Sequence, residues 1–287
     1  MPKRKYTFSR TDPKLIQECV SLYESGMSTL RIANKIGKSR PMVSLYLRHA
    51  GVDTSNMRRY AKHKLDINYF DEINTPNKAY WLGFLLADGS INPSGRSLVL
   101  TLARKDLSHL EILKSDMDYS GDIKMFSTRS NEKSYDKSSL DFCSVDLIKN
   151  LYAKGWTEFK NSGDLKIFKY VPKNLNKFIL RGLFDGDGCI TWSGKDAFIT
   201  FCDTHKSVVE WYRDSLVNKL NLPKVKIGKP HKDKDTAYVF HYGGNRQVKK
   251  ILDYLYSGAG PKLERKYKRY LKVKSINKSY NRKMENK

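Results

Sequence analysis

Residues 81–91, WLGFLLADGSI, and residues 180–190, LRGLFDGDGCI, share one design. Each is an apolar run that breaks at Asp-Gly and then resumes as apolar sequence. A shift of 99 residues lays Asp88-Gly89-Ser90-Ile91 on Asp187-Gly188-Cys189-Ile190, Ser94-Gly95 on Ser193-Gly194, and LVLTL on AFITF. Both halves then follow the same order. An apolar helix (about 76–87 and 173–186) leads into a hairpin turning at Ser-Gly (89–104 and 188–203). A helix follows (DLSHLEILKSDM; HKSVVEWYRDSLVNKL), then a second strand pair (DIKMFSTRS and SSLDFCS; KVKIGKP and AYVFHY) and a last helix (VDLIKNLYAKG; NRQVKKILDYLYSGAG). The period exceeds that of solenoid repeats. Two αββαββα units predict an α+β domain with a pseudo-twofold axis and antiparallel sheets.

The hairpins alternate. Leu98, Leu100 and Leu102 point one way, as do Ala197, Ile199 and Phe201. The other face carries Thr101 and Thr200, with Asn92, Arg96, Thr191 and Lys195 nearby, and the second strand pair adds Lys226 and Lys229. One greasy face and one polar, cationic face make a sheet able to lie on DNA.

The leading helices carry small residues four apart, Gly83 with Ala87 and Gly182 with Gly186, which share a face. Such a face lets two backbones approach closely. Glycine inside a helix costs about 1 kcal/mol relative to alanine, so closeness is worth that cost here. Pairing the helices brings Asp88 and Asp187 together at their C-termini. Each carboxylate then meets the negative end of a helix dipole, and like charges meet each other. A divalent cation reverses both effects. Carboxylates, with the terminal carbonyls of Ala87 and Gly186, are the hard oxygen ligands Mg²⁺ prefers, completed by water and phosphate oxygens. A calcium loop beginning at Asp185 fails, because its sixth position is Ile190 rather than glycine. Asp185 has no repeat mate, since Leu86 stands opposite, so it is assigned to local structure.

Lys and Arg outnumber Asp and Glu 54 to 30, a net charge of +24, which points to polyanionic partners. The four cysteines form no C-x-x-C pair, so neither a zinc site nor a disulfide framework is expected, in keeping with a reducing cytosol. No secretory signal and no membrane span are expected. Residues 12–50 read as three short helices. The first is capped by Asp12, striped by Leu15, Ile16, Cys19, Val20 and Tyr23, and stopped by Gly26. The second runs from Ser28 to Gly37, burying Leu30, Ile32, Ala33 and Ile36. The third runs from Ser39 to Gly51, burying Val43, Leu45 or Tyr46, and Leu47. This is the helix-turn-helix plan. It resembles the helix-turn-helix of resolvase-type recombinases and many repressors, which implies that Arg40, Ser44 and Arg48 face DNA. Lys3, Arg4, Lys5 and Arg10 form a basic arm upstream. The boundaries are 1–51 for arm and helix-turn-helix, 52–73 for a linker whose YFDEI docks onto the next domain, 74–160 and 161–272 for the repeats, and 273–287 for a basic tail. The tail helix is expected over 262–272, fraying beyond.

WLGFLLADG (81–89) and LRGLFDGDG (180–188) resemble the nine-residue motif of the LAGLIDADG homing endonucleases, over about residues 70–272. Glycine stands at the third and ninth places and Asp at the eighth; Leu86 departs at the sixth. The resemblance implies a single-chain, monomeric, site-specific DNA endonuclease of intron-homing type. Its two sheets would form a saddle over the major groove of a long double-stranded target. Asp88 and Asp187 would bind the catalytic metals, and four-base 3′ overhangs would result. Mg²⁺ is the expected cofactor, with Mn²⁺ as a replacement and Ca²⁺ supporting binding without cleavage. Arg104 and Lys105, at the end of the first hairpin, are the implied basic residues around the attacking water. Their mates are Asp203 and Thr204, so the second half departs from a basic pattern. The setting implied is the cytoplasm, on DNA, in a bacterial or phage-encoded system. Two alternatives stay open: a non-catalytic DNA-binding regulator on the same fold, and an intron RNA maturase.

Overall fold

The computed structural model describes residues 13–25, 27–52, 63–229 and 237–285, with side chains described through residue 276. Asp12, Gly26 and the basic arm lie outside the described residues. The chain divides into two compact units, Met1–Lys62 and His63–Lys287.

The first unit holds α1 (Pro13–Glu24), α2 (Thr29–Lys35) and α3 (Arg40–His49) around Cys19, Ile32, Ala33, Val43, Tyr46 and Leu47. Ser28 caps α2, its hydroxyl accepting from Arg31 N. Ser39 makes no side-chain cap to α3, whose first turn is set by Pro41. Leu30, expected inside, is 55% exposed. The inward stripe of α2 is Thr29, Ile32, Ala33 and Ile36, spaced as one helical face, and Leu30 sits about a quarter-turn away from it. In α3 the buried member of the Leu45/Tyr46 pair is Tyr46.

The second unit is an α+β fold built twice. Thr75 caps α4 (Pro76–Asp88), accepting from Lys78 N, with Pro76 in its first turn. Strands β1 (Gly89–Ile91), β2 (Ser97–Ala103), β3 (Lys124–Ser130) and β4 (Lys133–Cys143) form an antiparallel sheet in the order β1-β2-β4-β3. Helices α5 (Leu107–Asp116), α6 (Val145–Ala153) and α7 (Trp156–Ser162) complete this half. The second half begins with α8 (Asn176–Asp187). It continues through β5 (Gly188–Ser193), β6 (Asp196–Asp203), α9 (Lys206–Leu220), β7 (Tyr238–Gly243), α10 (Asn245–Tyr256) and α11 (Glu264–Glu285), with sheet order β5-β6-β7.

The inward residues are those the alternation predicts: Leu98, Leu100, Leu102, Ala197, Ile199 and Phe201 are all buried. The hairpins differ in register. Gly89 faces Leu100, whereas Gly188 faces Phe201, the mate of Leu102. An offset of two residues preserves facing, because side chains alternate with period two.

Four expectations need correction. KVKIGKP does not form a strand among its described residues; it gives one bridge, Gly228 to Val239. Within it the carbonyl of Val225 accepts from Arg213 Nη1, and just before it that of Pro223 accepts from the Tyr242 hydroxyl. The boundary between residues 160 and 161 cuts through α7, a helix the repeat pattern did not show. The tail helix does not end at 272: α11 runs to Glu285. Lastly, the second unit starts at His63, within the expected linker. Lys64 O accepts from Ser120 N and Asp66 N donates to Met117 O, while Tyr69, Phe70 and Ile73 sit in the core, so YFDEI docks as expected.

The centre of the unit is the α4–α8 pair, which contributes Tyr80, Trp81, Phe84, Ile179, Leu183 and Phe184 to one core. A Cβ on Gly182 would lie 2.1 Å from Tyr80 O and 2.7 Å from Phe84 N. On Gly83 it would lie 2.3 Å from Ile179 O, and on Gly186 2.3 Å from Ala87 Cβ. These small residues let the backbones touch. Gly182→Ala should therefore destabilise the protein despite raising helix propensity by about 1 kcal/mol. The collision is with backbone, which cannot turn aside, and overpacking costs about 1–3 kcal/mol or more. Denaturant unfolding should show a net loss; an unchanged or raised stability would contradict the close packing.

Candidate active site

Asp88 and Asp187 are the last residues of α4 and α8, and the following glycines turn directly into β1 and β5. Both carboxylates thus stand where paired helices end and paired sheets begin. The approach is close, for a Cβ on Gly186 would lie 3.6 Å from Asp88 Oδ2. Asp88 is exposed and Asp187 half-buried. Desolvation pushes Asp187 up to about 7, and the charges of Asp88 and Asp203 add to the rise. Desolvation also raises Asp88, against the lowering pull of Lys266, Lys160 and Arg265.

Two lysines serve the helix ends. Lys160, on α7, donates to Ala87 O at 3.1 Å. Lys266, on α11 and 3% exposed, donates to Phe184 O and Asp185 O at 2.7 Å and to Gly186 O at 3.0 Å. Each half therefore supplies one cation to the negative end of its own leading helix. The two are not equivalent. An ammonium has three donors, and Lys266 spends all three on backbone. Lys160 spends one among the described residues and also faces Asp187, Asp203 and Asp88. Burial pulls Lys266 down to about 8 and lowers Lys160 as well.

Asp185 is fully buried beneath the site. It accepts from the Tyr80 hydroxyl at 2.8 Å, the Tyr256 hydroxyl at 2.6 Å and Leu263 N at 2.8 Å. Tyr80 gives its only proton to Asp185, so His109 Nε2, 2.8 Å away, is the donor to Tyr80. Burial pulls His109 down to about 3, so it is neutral. Beside Asp185, the buried Arg181 binds the carbonyls of Leu255, Ser257, Ala259 and Pro261. Asp185 is a hub that fixes the α8 end, and its carboxylate is spent inward.

Arg104 donates to Lys137 O at 3.3 and 3.4 Å, and Lys105 is exposed on the adjoining turn. The principal cations beside the pair are Lys160 and Lys266. The fixed 99-residue offset hides them, because they stand 106 residues apart and Lys160 falls on Ala259 under that shift. The expected carbonyl ligands Ala87 and Gly186 are already accepting from these lysines. Among the expected readers of DNA, Asn92 Oδ1 is occupied by Ser94 Oγ, Arg96 N and Ser97 N, so Asn92 shapes the turn. Thr101 donates to Ser139 Oγ, and Thr200 pairs with His241 Nδ1. Arg96, Thr191, Lys195, Lys226 and Lys229 are exposed, with Lys229 above the Tyr238 ring. In the first unit Arg48 is exposed, Ser44 half-buried, and Arg40 Nε donates to Thr29 Oγ1.

No family model matches the chain, and no curated protein matches it. Among solved structures it is similar to the LAGLIDADG meganuclease I-AabMI bound to uncleaved DNA, at 16% identity over 73% of this chain and 92% of that one, TM-score 0.45. It is similar to the homing endonuclease I-WcaI bound to its DNA recognition sequence, at 16% identity over 66% of this chain and 85% of that one, TM-score 0.47. It is also similar to the N-terminal LAGLIDADG domain of DUF199/WhiA, at 17% identity over 71% of this chain and 92% of that one, TM-score 0.41. No helix among the described residues is long and apolar enough to cross a membrane.

Two outcomes follow from the site's electrostatics. A carboxyl raised to about 7 holds its proton more tightly folded than unfolded, where its value is about 4. Its contribution to stability is full below about pH 4 and is lost as pH rises through about 7. In metal-free buffer Asp187→Asn should therefore unfold at a higher temperature than wild type at pH 8, with the gap closing toward pH 4. Equal melting at both pH values would refute the strained pair. Lys266→Met removes the donor shared by three α8 carbonyls, those of Phe184, Asp185 and Gly186. The loss, read by denaturant unfolding, should be about 1–3 kcal/mol, the cost of leaving buried acceptors unsatisfied.

Proposed function

We propose that this protein is a site-specific, Mg²⁺-dependent endonuclease acting on double-stranded DNA. The observation that carries the reading is the carboxylate pair Asp88/Asp187, set at the ends of two helices whose glycines bring them into backbone contact. Nothing in the packing requires acids there, and Asp187 is held at about 7 by the resulting strain. Structure alone would favour neutral residues. Two carboxylates suit Mg²⁺, which takes few protein ligands and fills its shell with water and substrate phosphates. Held by Asp88 and Asp187, such a cation would activate water and stabilise the leaving oxygen at a scissile phosphate.

The chain's own groups have separable roles in this reading. Asp88 and Asp187 would hold the cation. Lys266 keeps the α8 end in position and has no donor to spare. Lys160 has donors to offer a phosphate and sits among the carboxylates, so it is the lysine assigned to the substrate. Arg96, Thr191, Lys195, Lys226 and Lys229 are exposed and suited to phosphate and groove contacts, and α3 with Arg48 and Ser44 would add a helix to the groove. The protein would act as a monomer, since one chain supplies both halves of the site.

A second reading is DNA binding without cleavage. Its support is that Lys160 and Lys266 already neutralise part of the charge and already occupy the carbonyls of Ala87 and Gly186. One experiment separates the two. Duplexes selected for binding in Ca²⁺ are transferred to Mg²⁺, and strand scission is followed with wild type, Asp88→Asn and Asp187→Asn. Cleavage by wild type that falls at least ~100-fold in each variant is expected, as removing several kcal/mol of charge stabilisation demands. Equal cleavage by all three would sink the assignment, and selective binding with no cleavage would establish the second reading. Affinity should fall steeply with added salt, as phosphate contacts release counterions.

A further inference from the structure

In the second sheet Ile190, Ile199, Phe201, Phe240 and Tyr242 face the core. By alternation Cys189, Thr200 and His241 face the other way, in one row across β5, β6 and β7. Cys189, the first of that row, stands two residues from Asp187. Thr200 Oγ1 and His241 Nδ1 lie 2.8 Å apart. Among the described residues the Thr200 hydroxyl has no other acceptor, so its proton goes to Nδ1 and the imidazole carries its own proton on Nε2. His241 is exposed, and Nε2 is the nitrogen turned away from Thr200. Two neighbours flank it. Val225 and Ile227 pack against the core, so Lys226 between them faces outward, and the antiparallel bridge Gly228–Val239 counts it opposite His241. Phe198 lies across Gly243, where a Cβ would meet its Cε1 at 2.6 Å.

The first half differs at the register-equivalent place. Gly89, Leu100 and Leu140 correspond to Gly188, Phe201 and Phe240, so Val99 and Asp141 correspond to Thr200 and His241. Asp141 Oδ2 accepts from Lys124 at 3.2 Å. One sheet thus shows a carboxylate held by a lysine, and the other an imidazole N–H with a lysine beside it. We infer that His241 is a specificity-determining residue, its Nε2–H donating to guanine N7 in the major groove with the Lys226 ammonium on O6 of the same base. The target then carries a required guanine under the second half and none at the matching place under the first. This rests on the DNA-binding part of the reading above and not on cleavage. Guanine presents two acceptors side by side on its major-groove edge, and two neighbouring donors match them. Adenine sets an amino donor beside its N7, cytosine offers only a donor, and thymine sets a methyl group beside its O4. Thr200 acts through His241, fixing the ring and its tautomer, and is a positioning residue.

The test uses the full chain and a randomised duplex library selected for binding in Ca²⁺. Wild type should prefer guanine at one position by at least ~10-fold, within the range of a good two-point base contact. His241→Ala should lose that preference alone and keep the rest of the consensus, which shows that it is folded. Replacing that guanine by 7-deazaguanine removes N7 and keeps O6; it should weaken wild type at least ~5-fold and leave the Ala variant unaffected. Thr200→Val should lower the preference at the same base and nowhere else. An unchanged guanine preference in His241→Ala, or wild-type binding indifferent to 7-deazaguanine, would overturn the assignment. Loss of preference at matching positions under both halves would overturn the asymmetry. A wild type that shows the guanine contact and cleaves nothing in Mg²⁺ would refute the nuclease reading and leave His241 assigned, whereas one that selects no sequence would overturn both.

Discussion

The contact between α4 and α8 is the constraint on which the rest of the second unit depends. Gly83, Gly182 and Gly186 remove side chains where each backbone meets the other helix. Glycine weakens a helix by about 1 kcal/mol, so three such positions would be a liability in helices that stood apart. Paired, they gain dispersion contacts along the whole line of approach. The same pairing decides where the helices end relative to each other, and therefore that Asp88 and Asp187 meet.

That meeting is electrostatically unfavourable, and the molecule offsets it only in part. Each carboxylate faces a helix C-terminus, at about 0.3–1 kcal/mol, and the other carboxylate adds to the cost. Lys160 and Lys266 supply one cation to each helix end. Asp187 nevertheless stays near 7, so the two ammoniums do not cancel the strain. Asp185 shows the alternative. More deeply buried in the same helix, it is met by three donors and committed to structure. Two acids two residues apart are thus separated by environment: one satisfied and inward, the other strained and facing the place where a cation and a phosphate would sit.

Much of this was legible in the chain. The repeat gave the order of helices and hairpins, and the alternation gave the buried faces of β2 and β6. The Thr75-Pro76 pair marked the start of α4, and the small residues marked the helix contact. These signals are local, or recur at one fixed offset. The misses had other sources. In KVKIGKP the Val225 carbonyl went to the Arg213 side chain instead of a ladder. Leu30 was assigned inward on hydrophobicity although its helical phase points outward.

The sequence by itself determined the two-fold architecture and singled out Asp88 and Asp187, because a glycine-lined helix ending in aspartate at two equivalent positions has few other uses. It also demoted Asp185, which has no repeat mate. Only the tertiary structure decided which cations attend the pair. Lys160 and Lys266 lie more than seventy residues along the chain from the helix ends they serve. They reach them from α7 and α11, whose docking depends on the packed core rather than on any local pattern. The tertiary structure likewise distinguished Lys160, with donors to spare among the described residues, from Lys266, with none. These are facts of distance between residues remote in sequence, and no periodicity encodes them.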